Sequence, residues 1–230
     1  MSFFSKLAPI AAFGAVAFSA SPALADAITL GSGDIGQSYT LNFDGYSGTT
    51  TVDGLKSTAT FTLTGVSGNS YTFNYSLTNT TGSSLTSRLS GFAFNTDPTI
   101  TSASSTGAFS YSTLNSSYPN GIGSIDVCFK DASTGSCAGG GSGGLAAGTT
   151  GTGTFSLNFS QPISSLTLSD FYVRYQSITG AGGISSASGS GTLTGTSGGT
   201  SVPEPGMLGL FGVALAGLGL AHRRRQTVNA

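Results

Sequence analysis

The sequence predicts an all-β domain, an antiparallel β-sandwich of jelly-roll type, set between two apolar terminal segments. Three observations carry this. Apolar and hydroxyl side chains alternate with a period of two: Ala59, Phe61 and Leu63 interleave with Thr58, Thr60, Thr62 and Thr64, and Tyr71, Phe73, Tyr75 and Leu77 with Thr72, Asn74, Ser76 and Thr78. Such alternation marks strands with one buried face. Glycine, asparagine and serine clusters punctuate the chain at short intervals, as turns in a sandwich or barrel do. Between the termini no stretch keeps a helical period over roughly 11 residues, and no fixed-period repeat suggests a propeller or β-helix.

The first element is a secretory signal peptide over residues 1–25. Lys6 supplies a positive start, residues 7–20 are mostly apolar, and Ala23-Leu24-Ala25 is a small-residue cleavage site. Cleavage after Ala25 makes Asp26 the first mature residue. No cysteine follows the site, so lipid attachment by this route is not expected.

The β domain is expected over 26–180. Its first strand falls at 38–44. The two alternating runs around 59–63 and 71–77, linked by Gly65-Val-Ser-Gly-Asn69, read as a hairpin with one apolar and one hydroxyl face. Further strands are expected at 85–95, 99–102, 107–112, 124–130, 153–160 and 165–176. Residues 181–201 are rich in glycine, serine and threonine and read as a flexible linker. If residues 190–195 form a last edge strand, the domain extends to 195.

Composition bounds the function. Glycine accounts for 36 of 230 residues and charged residues for only 7%. Serine and threonine supply close to a third. Between residues 26 and 205 nine acids face four bases (Lys56, Arg88, Lys130 and Arg174), a formal charge of about −5. No basic patch exists to hold nucleic acid. Low charge with many β-branched residues also argues against disorder.

Cys128 and Cys137 are the only cysteines. An even count in an exported chain favours a disulfide, and the eight intervening residues do not fit C-x-x-C redox or zinc chemistry. If Ile125, Val127 and Phe129 face the core, then Asp126, Cys128 and Lys130 face outward. The bridge is then expected to staple a surface loop, beside the floppy run Ala138-Gly-Gly-Gly-Ser-Gly-Gly144.

The C-terminus has three parts in order: Val202-Pro203-Glu204-Pro205, the apolar run 207–221, and Arg223, Arg224 and Arg225. As a helix the run would be roughly 22 Å long at about 1.5 Å per residue, short against a hydrocarbon core of about 30 Å. Bilayer thinning or snorkelling arginines would let it span, and the arginines would keep the C-terminus cytoplasmic. A single-pass anchor that stays in place is the plain reading. The three-part order, however, resembles the PEP-CTERM sorting tail of Gram-negative surface proteins. That resemblance implies recognition by the membrane enzyme exosortase, a transient membrane stage through residues 207–221, removal of the tail, and delivery to the cell surface or extracellular matrix. Residues 226–230 are then a cytoplasmic end. The layout parallels signals in which a hydrophobic tail is removed and no transmembrane helix remains.

Tyr118-Pro-Asn-Gly121, Ser124-Ile-Asp-Val-Cys-Phe129, Cys137-Ala-Gly-Gly-Gly141, Gly144-Leu145 and Leu41-Asn-Phe-Asp-Gly-Tyr46 resemble the two-cysteine "cistern" group of these proteins. That group carries no settled activity. The wider class implies association with exopolysaccharide and biofilm.

Catalytic chemistry finds little to use. His222, the only histidine, lies in the tail; Glu204, the only glutamate, lies in the sorting motif. Bridged cysteines leave no thiol nucleophile. Asp97, Asp126, Asp131 and Asp170 could serve a glycosidase, but Asp97 and Asp131 read equally as turn residues. Asp126 and Asp131 could share a calcium ion, although no D-x-D-x-D loop is present. No catalytic residue, metal or cofactor is therefore expected. Two functions remain: a non-enzymatic surface or matrix protein, and a carbohydrate-binding module retaining exopolysaccharide. The binding patch best suited to the second is Tyr172, Arg174 and Gln176, on the face opposite Phe171, Val173 and Tyr175. An exposed row of tyrosine rings would favour the module, and an all-hydroxyl outer face the structural protein.

Overall fold

The computed structural model describes residues 26–197. Twelve strands follow in order: β1 (Ile28–Leu30), β2 (Ser38–Ser47), β3 (Thr50–Ser67), β4 (Ser70–Asn79), β5 (Thr86–Asp97), β6 (Ser102–Ser105), β7 (Tyr111–Tyr118), β8 (Gly123–Lys130), β9 (Leu145–Ala146), β10 (Thr150–Asn158), β11 (Leu166–Thr179) and β12 (Ala187–Ser197). Two 3-10 turns, Ser32–Asp34 and Gly107–Phe109, are the only helical pieces among the described residues.

The expected hairpin is β3–β4. Its strands run further than the alternation suggested, until Ser67 faces Ser70 and only Gly68 and Asn69 turn the chain. Gly68 takes φ +59°, the left-handed conformation a two-residue hairpin turn needs and glycine adopts without a Cβ penalty.

All pairings are antiparallel, and the strands form one sheet in the order β6-β10-β4-β3-β2-β12-β11-β5-β8-β7, with β1 added to β11 and β9 to β5. The expected two-sheet jelly roll is therefore corrected to a single sheet that curls into a nearly closed barrel. Its two halves pack face to face as sandwich layers would, but the β2–β12 ladder joins them. At the open seam Ser112 on β7 donates its hydroxyl to the Ala103 carbonyl on β6 at 2.9 Å.

The curl encloses an aromatic core. Phe61 on β3 meets Phe92 and Phe94 on β5 at 5.4 and 6.3 Å, Phe171 on β11 at 6.0 Å and Phe155 on β10 at 5.8 Å. Such ring pairs add about 0.5–1.5 kcal/mol each beyond area burial.

The linker expectation is also corrected. Residues 187–197 form β12, which pairs with β2 along most of its length and with β11 over Ala187–Ser190; the expected last strand at 190–195 is present, paired on one side beyond Ser190. Gly189 and Gly191 are there because the core leaves no room: a Cβ on Gly191 would stand 2.7 Å from Phe43 and 2.9 Å from Phe171, and one on Gly189 2.8 Å from Val173.

The outer face of β2, β3, β4 and β10 carries hydroxyls joined across strands. Ser38 bonds Thr62 at 2.7 Å, Thr40 bonds Thr60 at 3.2 Å, Thr72 bonds Ser156 at 3.1 Å and Thr78 bonds Thr150 at 2.8 Å. One row, Thr192–Asn42–Thr58–Thr78–Thr150, crosses five strands.

Candidate functional site

The cysteines form the expected disulfide, with Cα atoms 5.6 Å apart, inside the usual range. Cys128 points off the core as its parity requires, yet both cysteines are 1% exposed. The surface-staple expectation is corrected for a specific reason: the loop from 131 to 144 folds over the outer faces of β5, β8 and β11. Cys128 lies between Ala93 on β5 and Thr113 on β7, and the bridge joins Ala93, Tyr118 and Ile125 in a second small core.

Lys130 is buried under the same loop. Its Nζ donates to Thr113 Oγ1 at 2.6 Å, to Ser136 O at 2.9 Å and to Thr134 O. Burial lowers its pKa, and the neighbouring Asp131 partly offsets this. The glycine run is packed, not floppy. Gly140 donates its amide to Asp131 Oδ1 at 2.7 Å, and a Cβ on Gly139 or Gly144 would collide with the backbone oxygens of Ser90 or Leu89. Ser90 Oγ donates to Ala138 O at 2.9 Å.

Tyr172, Arg174 and Gln176 do share the outer face of β11, but they do not form an open patch. Gln176 donates to Ser90 Oγ at 3.2 Å and to Ala138 O, and so holds the loop down. The Tyr172 ring is half-buried against Tyr118, centroids 5.6 Å apart. Arg174 is 7% exposed and faces the buried Ser188 across the β11–β12 ladder. Asn120, at φ +66°, donates to Ser188 Oγ at 3.1 Å and to Tyr46 O at 3.3 Å. The chain from Tyr118 to Asn120 thus forms a lid over Arg174. Burial lowers the Arg174 pKa and pushes the Tyr118 phenol well up, with the Arg174 charge pulling the other way.

Beside this corner two shallow clefts flank Ser190 and Thr192 on β12. One, about 390 Å³, is rimmed by Asp44 and Tyr46. The other, about 260 Å³, is rimmed by Asp26, Asp170 and Tyr172. Hydroxyls, phenols and carboxylates here match the donor and acceptor needs of a polyol. Asp44 pairs with Lys56 at 3.3 Å, both well exposed, a contact worth little. Asp170, at φ +52°, sits in a β-bulge and accepts from Asn95 Nδ2 at 3.0 Å. Tyr46, Tyr118, Asn120, Ser188 and Ser190 are absent from the sequence-level patch. Only the placement of β12 beside β11 brings them together.

The remaining candidate carboxylates each have their own partners or place in the backbone. Asp126 accepts from the Thr96 amide at 2.8 Å, whereas Asp131 accepts from the Gly140 amide and is wrapped by glycines. Asp97 ends β5 at the cis Asp97–Pro98 bond. Among the described residues no three His, Cys, Asp or Glu side chains gather as metal ligands, and no helix is long and apolar enough to cross a membrane. Ala23, Ala25, Val202, Pro203, Glu204, Pro205, the 207–221 run and Arg223, Arg224 and Arg225 lie outside the described residues, as does the end of the expected linker.

Residues 201–225 match the family model of the PEP-CTERM protein-sorting motif. No curated protein and no solved structure matches the chain. The motif implies recognition by exosortase and export to the cell surface of a Gram-negative bacterium.

Proposed function

We propose that this chain, a protein bearing a PEP-CTERM sorting motif, is a non-enzymatic structural unit of the outer surface or extracellular matrix. The tail is removed after sorting, and the β domain works by its presence among exopolysaccharide. The two-cysteine cistern group is its proposed subgroup. The observation that carries this reading is the hydroxyl outer face of β2, β3, β4 and β10, with its cross-strand bonds. A surface of paired hydroxyls stays hydrated at low charge, which suits a polymer matrix. Among the described residues Tyr111 and Ile35 are the large apolar side chains left exposed, so no row of open aromatic rings supports sugar stacking.

A carbohydrate-binding module is the second reading, favoured by the clefts that Tyr46 and Tyr172 rim over β12. Deleting the gene should change aggregation or matrix texture while growth on defined medium is unchanged. The exported protein should show no turnover of polysaccharide, ester or peptide substrates. A hydrolytic activity lost on Asp126→Asn or Asp170→Asn would overturn the non-enzymatic reading.

A further inference from the structure

Arg174 is held in a way that its own fold does not complete. A guanidinium carries five donors and a charge that proteins do not remove. Buried charges are ordinarily paired, because an unpaired one is costly. Arg174 is more than nine-tenths buried, yet its Nε and Nη1 have no hydrogen-bond partner among the described residues. The hydroxyl of Tyr118 is buried and unpartnered too. The one ion pair among the described residues, Lys56 with Asp44, does not involve Arg174.

The geometry places these groups together. Tyr118 packs on Tyr172, two residues before Arg174 on the same face. Asn120 bonds Ser188, which stands directly opposite Arg174, and Ser188 also donates to Pro119 O at 3.4 Å. The lid is therefore tied to both neighbours of Arg174, Tyr172 on its own strand and Ser188 across the ladder. It brings a phenol donor and no carboxylate. Unsatisfied donors around a cation call for an anion that accepts hydrogen bonds.

We propose that Arg174 and Tyr118 form an anion site that takes a carboxylate. One negative charge balances one guanidinium. A planar carboxylate matches the guanidinium fork and keeps a lone pair for the phenol. Nε, Nη1 and the Tyr118 hydroxyl are closed to solvent, so the ligand enters as the segment from Tyr118 to Asn120 lifts, and it is a small acid or the acid group of a larger molecule such as a uronate sugar. The proposal stands apart from the matrix role: the site can bind whether or not the protein acts in a matrix.

The test uses 15N-labelled exported protein at fixed ionic strength, titrated separately with sodium acetate, sodium galacturonate and neutral glucose. Acetate should move the Arg174 Nε–H resonance saturably. At about ten times Kd it should raise Tm by about 3–6 °C. Arg174→Met should lose the response. A shift with acetate alone supports a site for free small acids, and a shift with both acids a site that sugar acids reach; glucose should do nothing. If Arg174→Met does not fold, the resonance titration of the unaltered protein still decides. A resonance that no acid moves, or an equal Tm rise in both proteins, overturns the proposal.

Discussion

Oδ2 of Asp131 lies 2.2 Å from where a Cβ at position 143 would stand. The carboxylate cannot swing away freely, because its Oδ1 accepts from the Gly140 amide. Gly143→Ala should therefore destabilise the domain by about 1–3 kcal/mol, the usual range for forcing atoms into filled space. Gly65→Ala, with nothing within 4 Å, should change stability by less than about 0.5 kcal/mol. Urea unfolding of the two variants checks this; equal effects would mean that the loop does not pack round Asp131.

The disulfide closes this loop while Lys130 fills it. The Cys128→Ala, Cys137→Ala double variant should lose about 2–3 kcal/mol of loop-closure stabilisation and keep its β circular dichroism. Single serine variants should lose more, since each adds a buried hydroxyl at a site that is 1% exposed. Non-reducing peptide maps of exported protein should show one bridged species; alkylated free thiols at both positions would contradict it.

What the sequence made legible was local. The alternation around Phe61 and Phe73 placed the β3–β4 hairpin, and parity correctly turned Cys128 and Arg174 away from the main core. What lies over that outer face depends on contacts between residues far apart in the chain, and no periodicity encodes them. The loop that covers Cys128 looked like a spacer because its glycines make room for Asp131 and the β5 backbone. β12 looked like a linker for the same reason: Gly189 and Gly191 yield their space to Phe43, Phe171 and Val173. Glycine selected by crowding and glycine in a loose linker read alike until the neighbours are known. The candidate site inherits this blindness, since Ser188 and Ser190 ride on β12.

Inside the barrel, Tyr175 and Ser57 share a hydrogen bond of 2.7 Å, with both residues buried. Tyr175→Phe leaves the Ser57 hydroxyl unpaired and should cost about 1–3 kcal/mol. Adding Ser57→Ala should recover part of that loss, because the orphaned group is gone. The double-mutant cycle should give a coupling of at least about 0.5 kcal/mol; strict additivity would rule the bond out as a contributor.

The last prediction concerns alkali. Burial raises the phenol pKa of Tyr39, Tyr46, Tyr71, Tyr75, Tyr118, Tyr172 and Tyr175 above the usual 10.0. For each, the stabilisation is complete below the unfolded value near 10 and is lost as pH rises through the higher folded value. Above pH 10 the unfolded chain sheds phenolic protons that the folded chain keeps, so stability falls with pH. The slope reaches about 1.4 kcal/mol per pH unit for each phenol the fold keeps neutral. Lys130 acts in the opposite sense: its lowered pKa means that deprotonation favours the fold as pH approaches 10.5. One amine set against seven phenols does not reverse the trend. Urea midpoints should therefore drop steeply between pH 10 and 11.5, and tyrosinate absorbance from the buried phenols should rise together with loss of β structure. A midpoint that stays level to pH 11.5, or full tyrosinate absorbance in still-folded protein, would show that these rings are open to solvent.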